Sequence, residues 1–311
     1  MSSPCLLCGG RSQEFVTRKR DYEYYRCLSC GLVRLDPMPT KEQLDRYYSQ
    51  TYNQYRFSFD DPLSEPLRRK PRYLRIVERF RPRGRILDIG CAYGHFLESA
   101  RLHGWRVEGV EPLNDARSVA RSRFRLTVHE TIDDAPAGVF DVVTLWHVIE
   151  HLPDPQGMLR SARTRLMDGG VLAMVTPNME SLAARITGAS WGWLSPPDHV
   201  MLYSPSTLTM LVKQAGFEVL YAETMRGAAR NLLLMTLQGI VYRLGLFDQM
   251  KNSVQQAVSR HQSSRTFRSR LNIFYLAEKV TEGMTFLLTP LIALLYKMGL
   301  GDEVVIVARK T

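Results

Sequence analysis

Nothing in this sequence reads as a membrane span, a secretory leader or a disulfide framework. The N-terminal stretch MSSPCLLCGGRSQEF has no apolar core of the kind a leader needs. No uncharged apolar run reaches the roughly 18 residues that cross a bilayer. The expectation is a cytoplasmic protein. Cysteine is scarce, with five in 311 residues, and in that setting thiols serve as thiolates or ligands sooner than as bridges. Lysine is sparse beside arginine, and the G-x-G-x-x-G fingerprint of dinucleotide folds is absent. The chain is 45% hydrophobic and 23% charged, which excludes a disordered polymer. A formal charge of +10 invites an anionic partner: nucleic acid, a membrane surface or a phosphorylated substrate. The basic residues are scattered, however, apart from the cluster LRRKPRYLRIVERFRPRGR.

What is present begins with Cys5, Cys8, Cys27 and Cys30, spaced C-x2-C-x18-C-x2-C in the knuckles CLLCGG and CLSCGL. Four thiolates suit tetrahedral zinc, and the glycine after each second cysteine permits the turn that presents both sulfurs. Residues 1–36 therefore read as a zinc ribbon. Some thirty residues cannot bury a sufficient core without help, so a structural clip is preferred to a nucleic-acid reader. No basic stripe interleaved with aromatics crosses the knuckles. Residues 37–65 form a linker, in which Thr40 and Gln43 have the spacing of a capping box that opens a short helix.

From residue 66 to 225, strands such as RILDI, RVEGVEP, RLTVH and FDVVTLW alternate with helical stretches. That alternation predicts an α/β fold, a doubly wound and mostly parallel sheet covered on both faces. Ligands bind such sheets outside the carboxyl ends of the strands. The first strand ends in a glycine-containing loop, Asp88 to Gly94, and the second in Glu111. A loop that lets backbone approach a ligand, together with an acid able to grip ribose hydroxyls, points to a nucleoside.

The segments ILDIGCAYGHF, VEGVEP, FDVVTLWHVIEHLPDP, LMDGGVLAMVTPN and SPSTLTMLVKQAGFEV, in that order, resemble the successive motifs of class I S-adenosylmethionine-dependent methyltransferases. The likeness runs from about Arg85 to Thr224, with DEVVIVARK as a final strand, and implies a seven-stranded Rossmann-like sheet. It implies S-adenosyl-L-methionine as cofactor, with Asp88, Gly90 and Gly94 at its methionine end. It also places Glu111 on the ribose, and Glu130, Thr131 and Ile132 near the adenine. Cys91 belongs to the same cofactor loop; no His or Lys stands beside it in sequence, so it reads as a small residue filling the turn. Ala92 departs from the glycine many members have there, and a slight change of loop shape is expected.

The same order puts WHVIEHLPD at the carboxyl edge of the fourth strand, with Trp146 beside the cofactor's methyl group. On a helix His147, Glu150 and His151 would share one face, at i, i+3 and i+4. H-x-x-E-H is also a zinc-peptidase signature, but the order of the other motifs argues against a peptidase. Three roles stay open. His147 or His151 could take a proton from the acceptor hydroxyl. The trio, with His199 as a fourth ligand, could hold a second divalent metal. Or Glu150 and His151 could satisfy each other and a helix end. The segment is similar to the E-x-x-E-H of ubiquinone-type and small-RNA 2′-O-methyltransferases, where two acids and a histidine ligate a metal. His147 replaces the first acid here, which tilts the preference toward zinc-like ions. The loop SWGWLSPPDHVMLYS adds Trp191 and Trp193, aromatics suited to a planar or sugar acceptor or equally to a loop folded over the sheet edge.

Residues 226–300 form an apolar helical insertion, interrupted by a basic polar segment, before a last strand at 301–311. The insertion reads either as a peripheral membrane contact or as a surface buried on the domain or in a homo-oligomer. The functional expectation is O-methylation of a sugar, a lipid-linked glycan or another small-molecule hydroxyl. The alternatives are an RNA methyltransferase or RNA-binding protein, and a non-catalytic methyltransferase-like subunit; nucleic acid is the less favoured partner.

Overall fold

The computed structural model describes residues 3–48, 70–225 and 297–311. Most of the insertion, 226–296, and most of the Tyr-rich linker lie outside the described residues. Two compact units are formed: residues 1–176, 196–222 and 304–311 make the first, and residues 177–195 and 223–303 the second. No helix among the described residues is long and apolar enough to cross a membrane.

The first unit contains the ribbon and nearly all of the main sheet. The ribbon has strands β1 (Gln13–Lys19), β2 (Tyr22–Cys27) and β3 (Val33–Leu35), paired antiparallel in that order. β3 does not end the sheet. It pairs on its far side with a two-residue strand, β9 (Met201–Leu202), with Val33 opposite Leu202 and Arg34 opposite Met201. Helix α1 covers 41–48. It opens on the reciprocal bonds of a capping box: the Thr40 amide donates to Gln43 Oε1 at 2.8 Å, and the Gln43 amide to Thr40 Oγ1 at 3.3 Å.

The main sheet is seven-stranded, in the order β10-β11-β8-β7-β4-β5-β6. Its strands are β4 (Arg85–Ile89), β5 (Arg106–Val110), β6 (Thr127–His129), β7 (Phe140–Trp146), β8 (Leu166–Pro177), β10 (Phe217–Met225) and β11 (Glu303–Lys310). The pairs β4–β5, β5–β6, β4–β7 and β7–β8 are parallel. Apolar runs form the central strands because both faces are covered: Val142, Val143 and Leu145 of β7 and Val304 to Ala308 of β11 are buried. Helices α2 (Arg72–Glu78), α3 (His95–Leu102), α4 (Asn114–Phe124), α5 (Pro155–Arg165) and α7 (Pro205–Gln214) lie between strands in sequence. Two begin on side-chain caps followed by proline. Asp154 accepts from the Gly157 amide ahead of α5, and Ser204 from the Thr207 amide ahead of α7.

From β4 the chain builds outward through β5 and β6, then returns to the other side of β4 as β7. The carboxyl ends of β4 and β7 are thus the switch point, the place where such sheets bind ligands. In the second unit, α6 (Leu182–Thr187) starts at Ser181, whose Oγ accepts from the Ala184 amide at 3.1 Å. Asn178 Nδ2 donates to the Gly299 and Gly301 carbonyls. Trp191 is buried in this unit, which also contains Trp193.

Candidate active site

The glycine loop expected to meet the cofactor follows β4. Asp88 is buried near its end, and because β4 and β7 run in register it stands opposite Thr144, whose Oγ1 donates to Asp88 Oδ1 at 2.6 Å. Burial pushes the Asp88 carboxyl up to about 7, with Glu111 adding repulsion and the Thr144 bond pulling the other way. Gly90 has φ +71°, and a Cβ there would meet Val148 Cγ2 at 2.6 Å, so the loop packs against the turn after β7 as only glycine permits. Ala92 also adopts a left-handed φ, +47°, which an L-residue takes at a cost. Gly94 caps α3 with φ +81°.

Glu111, at the end of β5, is 5% exposed. One of its carboxylate oxygens accepts from the Ala92 amide and the other from the Leu113 amide, each at 2.9 Å. Burial raises its pKa against those two bonds and the charge of Arg117. The acid thus ties the glycine loop to β5 while each oxygen keeps a lone pair for a further donor. Cys91 is buried, its thiol raised by burial and by the Asp88 and Glu111 charges. It is no ready nucleophile. Of the segment expected near the adenine, Ile132 is buried. The Thr131 amide and hydroxyl are taken by Asp134 Oδ2 at 2.9 and 2.8 Å. Glu130 is 64% exposed and accepts from Arg117 Nη2 at 3.0 Å. Trp146 closes β7, stacked on Tyr73 of α2 at 4.8 Å and edge-on to Phe96 at 5.5 Å. Its indole Nε1 is buried and has no hydrogen-bond partner among the described residues.

The turn after β7 differs from a helix face. The His147 amide still donates to the Val175 carbonyl of β8 at 2.9 Å, so strand pairing extends to this residue. The chain then reverses through a left-handed φ of +55° at His147 into a single 3-10 turn, Ile149–His151. His147 consequently sits before the turn. Its Nε2 faces Tyr73 Oη at 3.3 Å and its Nδ1 the Glu150 carboxylate at 3.4 Å.

Glu150 is fully buried and accepts from Thr176 Oγ1 at 2.9 Å. Burial alone would raise its carboxyl, but contact with His147 and the charges on His151, His147 and His199 outweigh it and hold the group at about 2. His151 Nδ1 lies 2.8 Å from Asp198 Oδ1 and 3.5 Å from Tyr48 Oη. Burial lowers the His151 pKa, and the Asp198 bond with the Glu150 charge more than reverses that, so it ends above its ordinary value. Asp198 is held below the usual carboxylate range, its burial outweighed by the bond to His151. The His199 ring stands edge-on to His151 at 4.7 Å.

Glu150, His151 and His199 offer ligand atoms within 4.8 Å of one another; His147 falls outside that group. The structure therefore gathers three of the four residues expected at the acceptor side. It adds Asp198, Tyr48 and Tyr73, which sequence reasoning misses. Asp198 has a signal, an acid directly beside His199, whereas the two tyrosines have none.

The four ribbon cysteines also converge. Cys5 Sγ and Cys30 Sγ are 3.7 Å apart, and Cys8 Sγ and Cys27 Sγ 3.5 Å. Tetrahedral zinc with bonds near 2.3 Å requires sulfurs about 3.8 Å apart, whereas a disulfide needs about 2.0 Å. The set fits zinc, and Gly9 and Gly31 turn the knuckles with φ of +73° and +85°.

The sheet order and a glycine loop facing an acid at the switch point define the class I methyltransferase architecture. The profile of the family described as "Methyltransferase domain" matches residues 63–222. This chain belongs to that family. A ubiquinone biosynthesis O-methyltransferase of Marinobacter nauticus is 31% identical over 180 residues, which are 52% of this chain and 71% of that protein. One of Acinetobacter baylyi is 28% identical over 151 residues, 43% of this chain and 63% of the relative, so the match spans under two thirds of its length. Among solved structures, a SAM-dependent methyltransferase from Archaeoglobus fulgidus has the same fold, with a TM-score of 0.50 at 20% identity, covering 82% of this chain and all of that one.

Proposed function

We propose that this chain is an S-adenosylmethionine-dependent O-methyltransferase acting on a hydroxyl of a sugar, lipid-linked glycan or other small molecule. The observation that carries the reading is the His151–Asp198 pair beyond the end of β7, in the turn whose Val148 packs against the cofactor loop. The two O-methyltransferase relatives support a hydroxyl as the atom methylated.

The residues of the loop suit the cofactor. Glu111 has lone pairs for ribose hydroxyls, Asp88 is an acid at the methionine end, and Trp146 Nε1 is a buried donor. When bound, S-adenosylmethionine supplies an electrophilic methyl carbon. The chain's own part is proton chemistry. With Nδ1–H donated to Asp198, the His151 ring keeps its lone pair at Nε2, the atom that takes the acceptor's hydroxyl proton. Asp198 fixes the tautomer and stabilises the imidazolium that results. The ribbon's four thiolates hold a structural zinc.

His151→Ala should reduce turnover at least a hundredfold, the usual worth of a positioned base being about 10²–10⁴, and leave calorimetric cofactor affinity intact. Full turnover in that variant would refute the assignment. The cluster of Glu150, His151 and His199 favours one second reading, a divalent ion that orients and acidifies the acceptor. Metal analysis after exhaustive chelation separates the two, because only the second reading loses turnover along with an ion that is not the ribbon's.

A further inference from the structure

The ribbon is joined to the acceptor side of the site by a specific set of bonds. Tyr24, in β2, is fully buried, and its hydroxyl donates to the main-chain carbonyl of His199 at 2.8 Å. The Leu35 amide at the end of β3 donates to the Val200 carbonyl at 3.0 Å, just before β9 joins the ribbon sheet. The Val200 amide, pointing the other way, donates to the Glu150 carbonyl at 2.9 Å. Residues 198–200 therefore run as a short span stitched to the ribbon along one edge and to the His151 turn along the other. Asp198 and His199 on this span are the groups that meet His151, at 2.8 Å and ring to ring. The contact is apolar and closed: Leu32, Val33, Leu35, Met201, Leu202 and Tyr203 are each 1% exposed or less.

We infer that the ribbon is a positioning element for the acceptor side of the site, with Tyr24 as its positioning residue. This rests on the reading of His151 as proton acceptor. The Tyr24 hydroxyl fixes the His199 carbonyl, the carbonyl fixes the span, and the span sets the Asp198 carboxylate against His151 Nδ1. Phenylalanine in place of Tyr24 fills the same space but leaves a buried carbonyl without that donor, a loss packing does not repair. The cofactor loop lies on the other side of the β7 turn and takes no bond from the ribbon among those described.

The test needs no turnover, so it stands or falls separately from the methylation reading. Tyr24→Phe is compared with Tyr25→Phe, one residue along, whose hydroxyl goes to Glu23 instead. In Tyr24→Phe the strongly hydrogen-bonded His151 Nδ1–H proton resonance should shift or vanish. The Val200 amide should exchange about tenfold faster, as expected for a lost buried hydrogen bond. S-adenosylmethionine affinity should stay within about twofold in both variants, since the ribbon makes none of the cofactor-loop bonds. Tyr25→Phe should match the wild type throughout. An unchanged resonance and unchanged exchange in Tyr24→Phe would overturn the inference. So would a parallel loss of cofactor affinity, which would make the ribbon a general prop.

If Tyr24→Phe does not fold, native-state hydrogen exchange of the wild type in rising urea decides the matter. The Leu35 and Val200 amides should open as one cooperative unit. Independent opening of Val200 would contradict the coupling.

Discussion

Replacing Asp88 with asparagine isolates one buried charge. The substituted amide keeps an acceptor for Thr144 Oγ1, so shape and the 2.6 Å bond survive while ionisation is abolished. The wild-type carboxyl titrates near 7 when folded, raised mainly by burial, against an ordinary value of 3.8. A raised acid contributes stability that is fully present below the unfolded pKa and is lost as pH rises through the folded one. The gap between those two values corresponds to about 4 kcal/mol over the whole range. Between pH 5.5 and 7.5 about 2 kcal/mol of that is lost. Chemical unfolding of both proteins across this window should show Asp88→Asn gaining on the wild type by that amount, with the gain levelling off above pH 7. A difference that is flat with pH would show that Asp88 is already ionised in the fold, refuting the claim that burial governs it.

Three further outcomes follow from the same geometry. Ala92→Gly relieves a left-handed φ of +47° and should raise stability by about 1 kcal/mol in thermal unfolding; a destabilised variant would mean the loop is not strained there. Glu111→Ala removes the acceptor of two amides and the acid proposed to meet the ribose, so calorimetric affinity for S-adenosylmethionine should fall at least about tenfold, and unchanged affinity would remove Glu111 from the cofactor site. Elemental analysis should find one zinc per chain in the wild type and none in Cys30→Ser, whose ribbon strands should lose their exchange protection; a metal-free wild type with an intact ribbon would contradict the assignment.

Much of the fold is legible in the sequence because it is local. RILDI and FDVVTLW form strands with the bounds their mostly apolar runs suggest, since a strand covered on both faces is largely apolar. The cysteine spacing announces its own convergence. What escapes is non-local. Tyr24 meets His199 across 175 positions and Asp88 meets Thr144 across 56, and no periodicity encodes either pairing. Helical spacing puts His147, Glu150 and His151 on one face, but strand pairing runs on to His147. His147 there still touches Glu150 at 3.4 Å but is not among the three residues, Glu150, His151 and His199, whose ligand atoms lie within 4.8 Å of one another. Asp198 is announced in the sequence only by standing next to His199. The β3–β9 pairing, together with the bonds of His199 and Val200 to Tyr24, Leu35 and Glu150, holds it at His151.

Methyl transfer to a hydroxyl is the proposal on which the roles assigned to His151, Asp198 and the ribbon rest. Incubating the purified protein with methyl-labelled S-adenosylmethionine and a cell extract fractionated into RNA, lipid, glycan and small-molecule pools tests it at once. Label should enter a glycan, lipid or small-molecule fraction as a methoxyl carbon, and should be absent with His151→Ala. Label in RNA, on nitrogen or carbon, or undiminished in that variant would contradict it.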